Sequence, residues 1–182
     1  MRRTAWLTIF GSGLGIFGAA GLPAQSPGGH APNPAWLKWN AQTRTVTFEL
    51  IAGVPGLAKS PFNFDGYTDG ELTLVVPEGA TTVMNFQNDD GTPHSAQVIK
   101  AGTSIPNMAE DEPAILRAYS RAAGEGIAQF GTDVLRFQAD PAGEYRIFCG
   151  VPGHGLSGMW IRFRVSPEVQ EPAMFETPSG GP

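Results

Sequence analysis

Cysteine is nearly absent from this chain: 182 residues contain only Cys149. One thiol excludes an intrachain disulfide and excludes a dinuclear centre that needs two bridging thiolates. Histidine is also scarce, with His30, His94 and His154 only. That count excludes a self-contained enzyme with several histidine-ligated metals. Charge is sparse at 16% of residues and net acidic at −5, against the basic surface that nucleic-acid binding wants. No internal repeat is visible. Gly (24) and Pro (16) are plentiful, which favours many turns over long helices.

What is present is concentrated in one loop, Cys149-Gly-Val-Pro-Gly-His154-Gly-Leu-Ser-Gly-Met159. Thiolate, imidazole and thioether are soft and borderline donors that suit copper. His94, beside a strand-like run, supplies a second imidazole from far upstream. His94, Cys149, His154 and Met159 together make the ligand set of a mononuclear blue-copper site, a His₂Cys plane with a weak axial Met. Such a mixed set holds Cu(I) and Cu(II) without large rearrangement, as a one-electron carrier requires. Glycines give the loop freedom to fold back on a single atom, and Pro152 restrains it. Ser95, after His94, is placed to brace the ligand loop by its hydroxyl. Val151, Pro152, Leu156, Trp160 and Phe148 are expected to exclude water, which favours a high potential. His30 lies in Gly28-Gly29-His30-Ala31-Pro32 and is taken as a solvated linker residue.

The ligand loop with Trp160, the triplet Pro93-His94-Ser95 and the run Phe62-Asn63-Phe64-Asp65-Gly66-Tyr67 resemble the cupredoxins, and within them the sulfocyanin and rusticyanin branch. The four-residue gaps on both sides of His154 are similar to those of rusticyanin and auracyanin and longer than plastocyanin's Cys-to-His gap. The Phe-Asn-Phe-Asp-Gly run resembles sulfocyanin, where Asn commonly stands in place of Asp65. The likeness spans residues 44 to 166. It implies one type 1 copper per chain and electron transport rather than enzyme activity. It also implies transient docking of redox proteins near His154: a cytochrome c, a bc-type complex or a terminal oxidase. A monomer is expected. The alternatives are a nitrosocyanin-like mononuclear copper enzyme, which Met159 disfavours, and a copper chaperone or storage protein, which usually carries a Met/His-rich cluster. Phe62, Phe64 and Tyr67 are expected to be sandwich core rather than copper-site neighbours.

The N-terminus reads as a targeting segment. Arg2 and Arg3 precede an uncharged stretch from Ala5 to Ala24, ending Leu22-Pro23-Ala24. Residues 1–24 are therefore a signal peptide or a membrane anchor, and the copper domain lies in the periplasm or otherwise outside the cytoplasmic membrane. Cleavage after Ala24 removes two arginines and no acid, moving the net charge from −5 to −7.

Residues 25–35 read as a Pro/Gly-rich linker, 36–166 as the domain and 167–182 as a disordered tail. Strands are predicted at 43–52, 62–64, 71–76, 81–87, 95–100, 132–138, 143–149 and 159–165, separated by turn signals. One segment breaks the pattern: at 112–123 Ile115, Leu116 and Tyr119 fall at helical spacing, with Pro113 in the first turn. The expected fold is all-β, a cupredoxin-like Greek-key sandwich or barrel with a short helical insertion.

Overall fold

The computed structural model describes residues 31–56 and 60–178. The export or anchor segment at 1–24, and His30 with most of the linker, lie outside the described residues. Among the described residues no helix is long and apolar enough to cross a membrane.

Alternating apolar residues produce the strands. In β2 (Thr45–Ala52) Val46, Phe48, Leu50 and Ala52 are fully buried, while the intervening residues are half-buried. A period of two directs those four to one face. The same alternation runs through β4 (Thr81–Asn88), β6 (Thr132–Gln138) and β8 (Trp160–Ser166). With β1 (Leu37–Asn40), strands β2, β4 and β6 form one sheet in the order β1-β2-β4-β6, and β8 belongs to the other. The second sheet takes β5 (Gln97–Lys100), β7 (Gly143–Phe148), β3 (Leu72–Pro77) and β9 (Ala173–Glu176), in the order β5-β7-β8-β3-β9. The inward faces meet in one core, where Phe137, Phe163 and Tyr145 pack edge-on or tilted. β2 lies parallel to β4, and β3 parallel to β8, so the chain crosses between sheets in Greek-key fashion.

Three sequence-based expectations need correction. There is no helix at 112–123. Ile115 and Ala118 are buried, but Leu116 is 81% exposed, and Arg117 (φ 65°) and Ala122 (φ 51°) interrupt any helical path. The segment lies along the free edge of β5 instead. Ala114 N donates to Val98 O, Val98 N to Ala118 O, and Ser120 N to Ala96 O. An open strand edge carries unmet donors and acceptors, and satisfying them outweighs a weak helical preference. The only helical piece among the described residues is a 3-10 turn, Pro34–Trp36.

The tail is not disordered throughout. Residues Ala173–Glu176 form β9, which pairs antiparallel with β3 and covers an edge that would otherwise be open. Residues 62–64 form no strand. Phe64 makes isolated bridges to Ala52 and Tyr67, and the segment turns around Asn63. The Asn63 amide nitrogen donates to Val54 O and Ser60 O, while its oxygen accepts from Val54 N and Gly66 N.

Asp65 lies inside this turn, fully buried. Its Oδ1 accepts from Ile51 N, and Oδ2 has no partner. Burial holds this carboxyl well above the usual range, opposed by the Ile51 bond and reinforced by Glu49. An acid whose folded pKa is raised binds its proton in the native state while the unfolded state has released it. Stability is then complete below the unfolded value near 4 and is lost as pH rises toward the folded value. Asp65→Asn should remove this contribution. In chemical denaturation between pH 4 and 7, the wild type should lose stability relative to the variant by up to about 1.4 kcal/mol per pH unit. Parallel profiles would show that Asp65 is ionised in the native protein.

Candidate metal centre

All four candidate ligands lie at one end of the sandwich. β7 and β8 are antiparallel neighbours whose ladder ends at Phe148↔Trp160. Cys149 directly follows one strand and Met159 directly precedes the other. Cys149 N donates to Met159 O at 3.0 Å, which closes the loop as an extension of the ladder. Within it, His154 N donates to Val151 O and Met159 N to His154 O, so successive turns fold His154 back over Cys149. His94 arrives separately, just before β5, held by reciprocal backbone bonds to Ile127.

This arrangement brings donor atoms together. The ligating atoms of His94, Cys149 and His154 lie within 4.8 Å of one another. Nδ1 of His94 and Nδ1 of His154 are 3.2 Å apart, and Cys149 Sγ is 3.9 Å and 3.5 Å from them. Both imidazoles thus turn the same nitrogen inward. Met159 is fully buried beside them. Two nitrogens and a thiol converging in a buried cluster fit a soft or borderline ion better than a hard one. His94, Cys149 and His154 are therefore brought together, and Met159 is tied to Cys149 and His154 through its backbone.

The sulfur is braced. Ser95 N donates to Cys149 Sγ at 3.4 Å, and Gly150 N donates to Ser95 Oγ, which itself donates to Ala123 O. The expected role of Ser95 thus has a geometric basis. Burial pushes the Cys149 thiol up, partly offset by the Ser95 and Val151 backbone donors. Burial lowers His94, against the opposing pull of the Asp90 carboxylate, and lowers His154 together with its neighbour His94.

The water-excluding shell differs in part from expectation. Phe148 is fully buried, but Leu156 is 61% exposed and Pro152 also faces solvent. Phe64 and Tyr67 are core, as expected, whereas Phe62 is not. Its ring centroid lies 4.6 Å from His154 and 6.4 Å from His94, so it covers both imidazoles. Trp160 leans toward the surface, with the Arg146 guanidinium 4.8 Å from its ring centre. Asp90 was missed altogether. Its Oδ2 lies 3.0 Å from His94 Nε2, and only its position four residues before His94 hinted at a role.

A Greek-key sandwich with a His-Cys-His-Met cluster at one end defines a cupredoxin with a single type 1 copper. The model of the sulfocyanin (SoxE) domain matches residues 32–175, and the chain belongs to that family. Sulfocyanin of Sulfolobus acidocaldarius is 28% identical over 117 residues, covering 61% of this chain and 59% of that protein. The chain therefore aligns with less than two thirds of that relative's length. Rusticyanin of Acidithiobacillus ferrooxidans is 30% identical over 120 residues, covering 64% of this chain and 74% of that protein. A solved structure of reduced rusticyanin overlays with a TM-score of 0.50 at 27% identity, covering 68% of this chain and 85% of that one.

Proposed function

We propose that this protein carries single electrons between redox partners outside the cytoplasmic membrane, with His94, Cys149, His154 and Met159 as the copper ligands. One observation carries the reading: a thiol and two imidazole nitrogens of a buried cluster converge within 4.8 Å, beside a buried methionine. Bound copper supplies one-electron chemistry between Cu(I) and Cu(II). The chain's contribution is to hold mixed donors in one compact geometry, so that little moves when charge changes. Loop closure by the Cys149–Met159 backbone bond and the Ser95 brace provide that rigidity. Phe62 and Phe148 keep water from the cluster and favour the less charged state.

The port in this reading is His154. His94, Cys149 and Met159 are 0% exposed, while His154 is 8% exposed, with Leu156 standing out beside it. An apolar rim around one emerging ligand edge suits a weak, short-lived contact. A cytochrome c, a bc-type complex or a terminal oxidase is the proposed class of respiratory partner. Location outside the membrane rests on Arg2-Arg3 and the uncharged run after them.

Redox titration of the copper-loaded protein with optical detection tests the reading. An intense blue band that bleaches in a single one-electron step is expected, and a colourless or red Cu(II) protein would sink it. Met159→Leu should retain copper and raise the midpoint, because removal of a sulfur donor disfavours Cu(II) more than Cu(I). Each tenfold change in that preference corresponds to about 59 mV. An unchanged midpoint would mean that Met159 is not an axial ligand.

A further inference from the structure

We propose that Asp90 is a positioning residue for the metal centre: its carboxylate holds His94 in the Nε2–H form, presents Nδ1 to the metal and biases the site toward Cu(II). The inference rests on the copper reading above and adds a residue to it.

His94 is completely buried, yet only one of its ring nitrogens faces the donor cluster. The other, Nε2, meets Asp90 Oδ2 at 3.0 Å. A carboxylate only accepts from a neutral imidazole, so Nε2 carries the proton and Nδ1 keeps its lone pair for the metal. Such carboxylate partners orient a ligating imidazole and raise its basicity.

Several neighbours hold the carboxylate in place. Asp90 N donates to Asn88 Oδ1 at 2.9 Å, and Gly91 N donates to Asp90 Oδ1 at 2.6 Å. Asn88 is fully buried, and its amide donates to Thr92 O and Ile127 O, both at 2.8 Å. Ile127 in turn pairs with the His94 backbone. One side chain thus ties together the turn that carries Asp90 and the segment that clamps His94. Gly53 completes the seat. A Cβ on Gly53 would stand 2.3 Å from Asp90 Cβ, so the turn closes against it only because that position lacks a side chain. The Asp90 side chain is 24% exposed, so its negative charge lies partly out of water and beside the His94 ring. A negative charge there stabilises Cu(II) over Cu(I) and lowers the potential.

Full-length protein, D90N, D90A and a remote charge control, E168Q, separate the outcomes. Glu168 is exposed and follows β8 at its far end from Met159, so E168Q removes an acid without touching the centre. In copper-loaded D90N the blue band should persist while the midpoint rises. The expected loss in Cu(II)-over-Cu(I) preference is about tenfold or more, or about 59 mV upward per tenfold. E168Q should match the wild type. In metal-free protein, nitrogen-15 spectra should show His94 as the Nε2–H tautomer in wild type and as a mixture in D90A. A D90N midpoint equal to that of E168Q overturns the proposal, as does an unmoved tautomer in D90A. A wild type without a blue band would instead refute the carrier reading, and the metal-free tautomer measurement would still judge Asp90.

Discussion

Cys149→Ser should abolish the blue absorption and the reversible redox step completely while the fold survives. The colour of a type 1 site depends on a covalent copper–thiolate bond, and a serine hydroxyl is neither soft nor ionised at neutral pH. The fold should tolerate the exchange because the site already offers partners. Ser95 N and the Val151 backbone donate to the sulfur and would serve a hydroxyl oxygen as well. The residual cost is that of a buried polar group with imperfect geometry, about 1–3 kcal/mol. For a domain of this size that lowers the metal-free melting temperature by roughly 2–4 °C per kcal/mol. Optical spectra, copper stoichiometry and thermal unfolding of the metal-free protein check all three statements. A persistent blue band would remove Cys149 from the ligand set. Global unfolding would mean that the sulfur is a packing residue first.

Gly150→Ala should damage both the fold and the centre. A Cβ at this position would lie 2.7 Å from Ala123 O and from Ala109 Cβ, and 3.0 Å from Ala109 Cα. Two of those atoms are backbone and the third is fixed directly to it, so no side chain can swing aside. The segment containing Ala109 is also bonded to the loop, through Ala109 N to Gly150 O at 2.7 Å. Relief must therefore move that segment or the residue next to Cys149. Overpacking of this kind costs about 1–3 kcal/mol. Copper affinity should fall as well, because displaced Gly150 loosens its bond to Ser95 Oγ. Gly124→Ala is the comparison, since nothing stands within 4 Å of its Cβ position. Thermal melts and copper titrations of the two variants should diverge clearly. Equal behaviour would mean that the ligand loop yields without penalty.

Gly150 shows how far the chain could be read before its fold was known. Glycine in the loop was legible as freedom to turn, because four glycines lie between Cys149 and Met159. That Gly150 is required for close approach to Ala109 and Ala123 was not legible, since both lie on a segment remote in sequence. The same division holds for the helix expected at 112–123. Its apolar spacing was real, and Ile115 and Ala118 are buried. The competing demand came from the edge of β5, which no local pattern announces. β9 escaped notice for a similar reason. Its residues are at most half-buried, so alternation is weak, and pairing with β3 decides its conformation.

Phe62 and Asp90 mark the limit within the site. Phe62 reads locally as one aromatic among three, yet it alone lies against His154 while Phe64 and Tyr67 enter the core. Asp90 belongs to an Asn-Asp-Asp-Gly turn whose residues look interchangeable as turn formers. Only the bonds from Asn88 and the space left by Gly53 select Asp90 for contact with His94.

By itself, the sequence determined the donor set, its order and the strands that carry it. Donor chemistry is a property of residue type, and a strand's alternation is written over neighbouring positions. Tertiary structure alone decided which nitrogen each histidine presents, what covers the imidazoles and which ligand edge reaches the surface. Those properties arise between segments far apart in the chain, where packing and backbone bonding set distances that local composition does not encode.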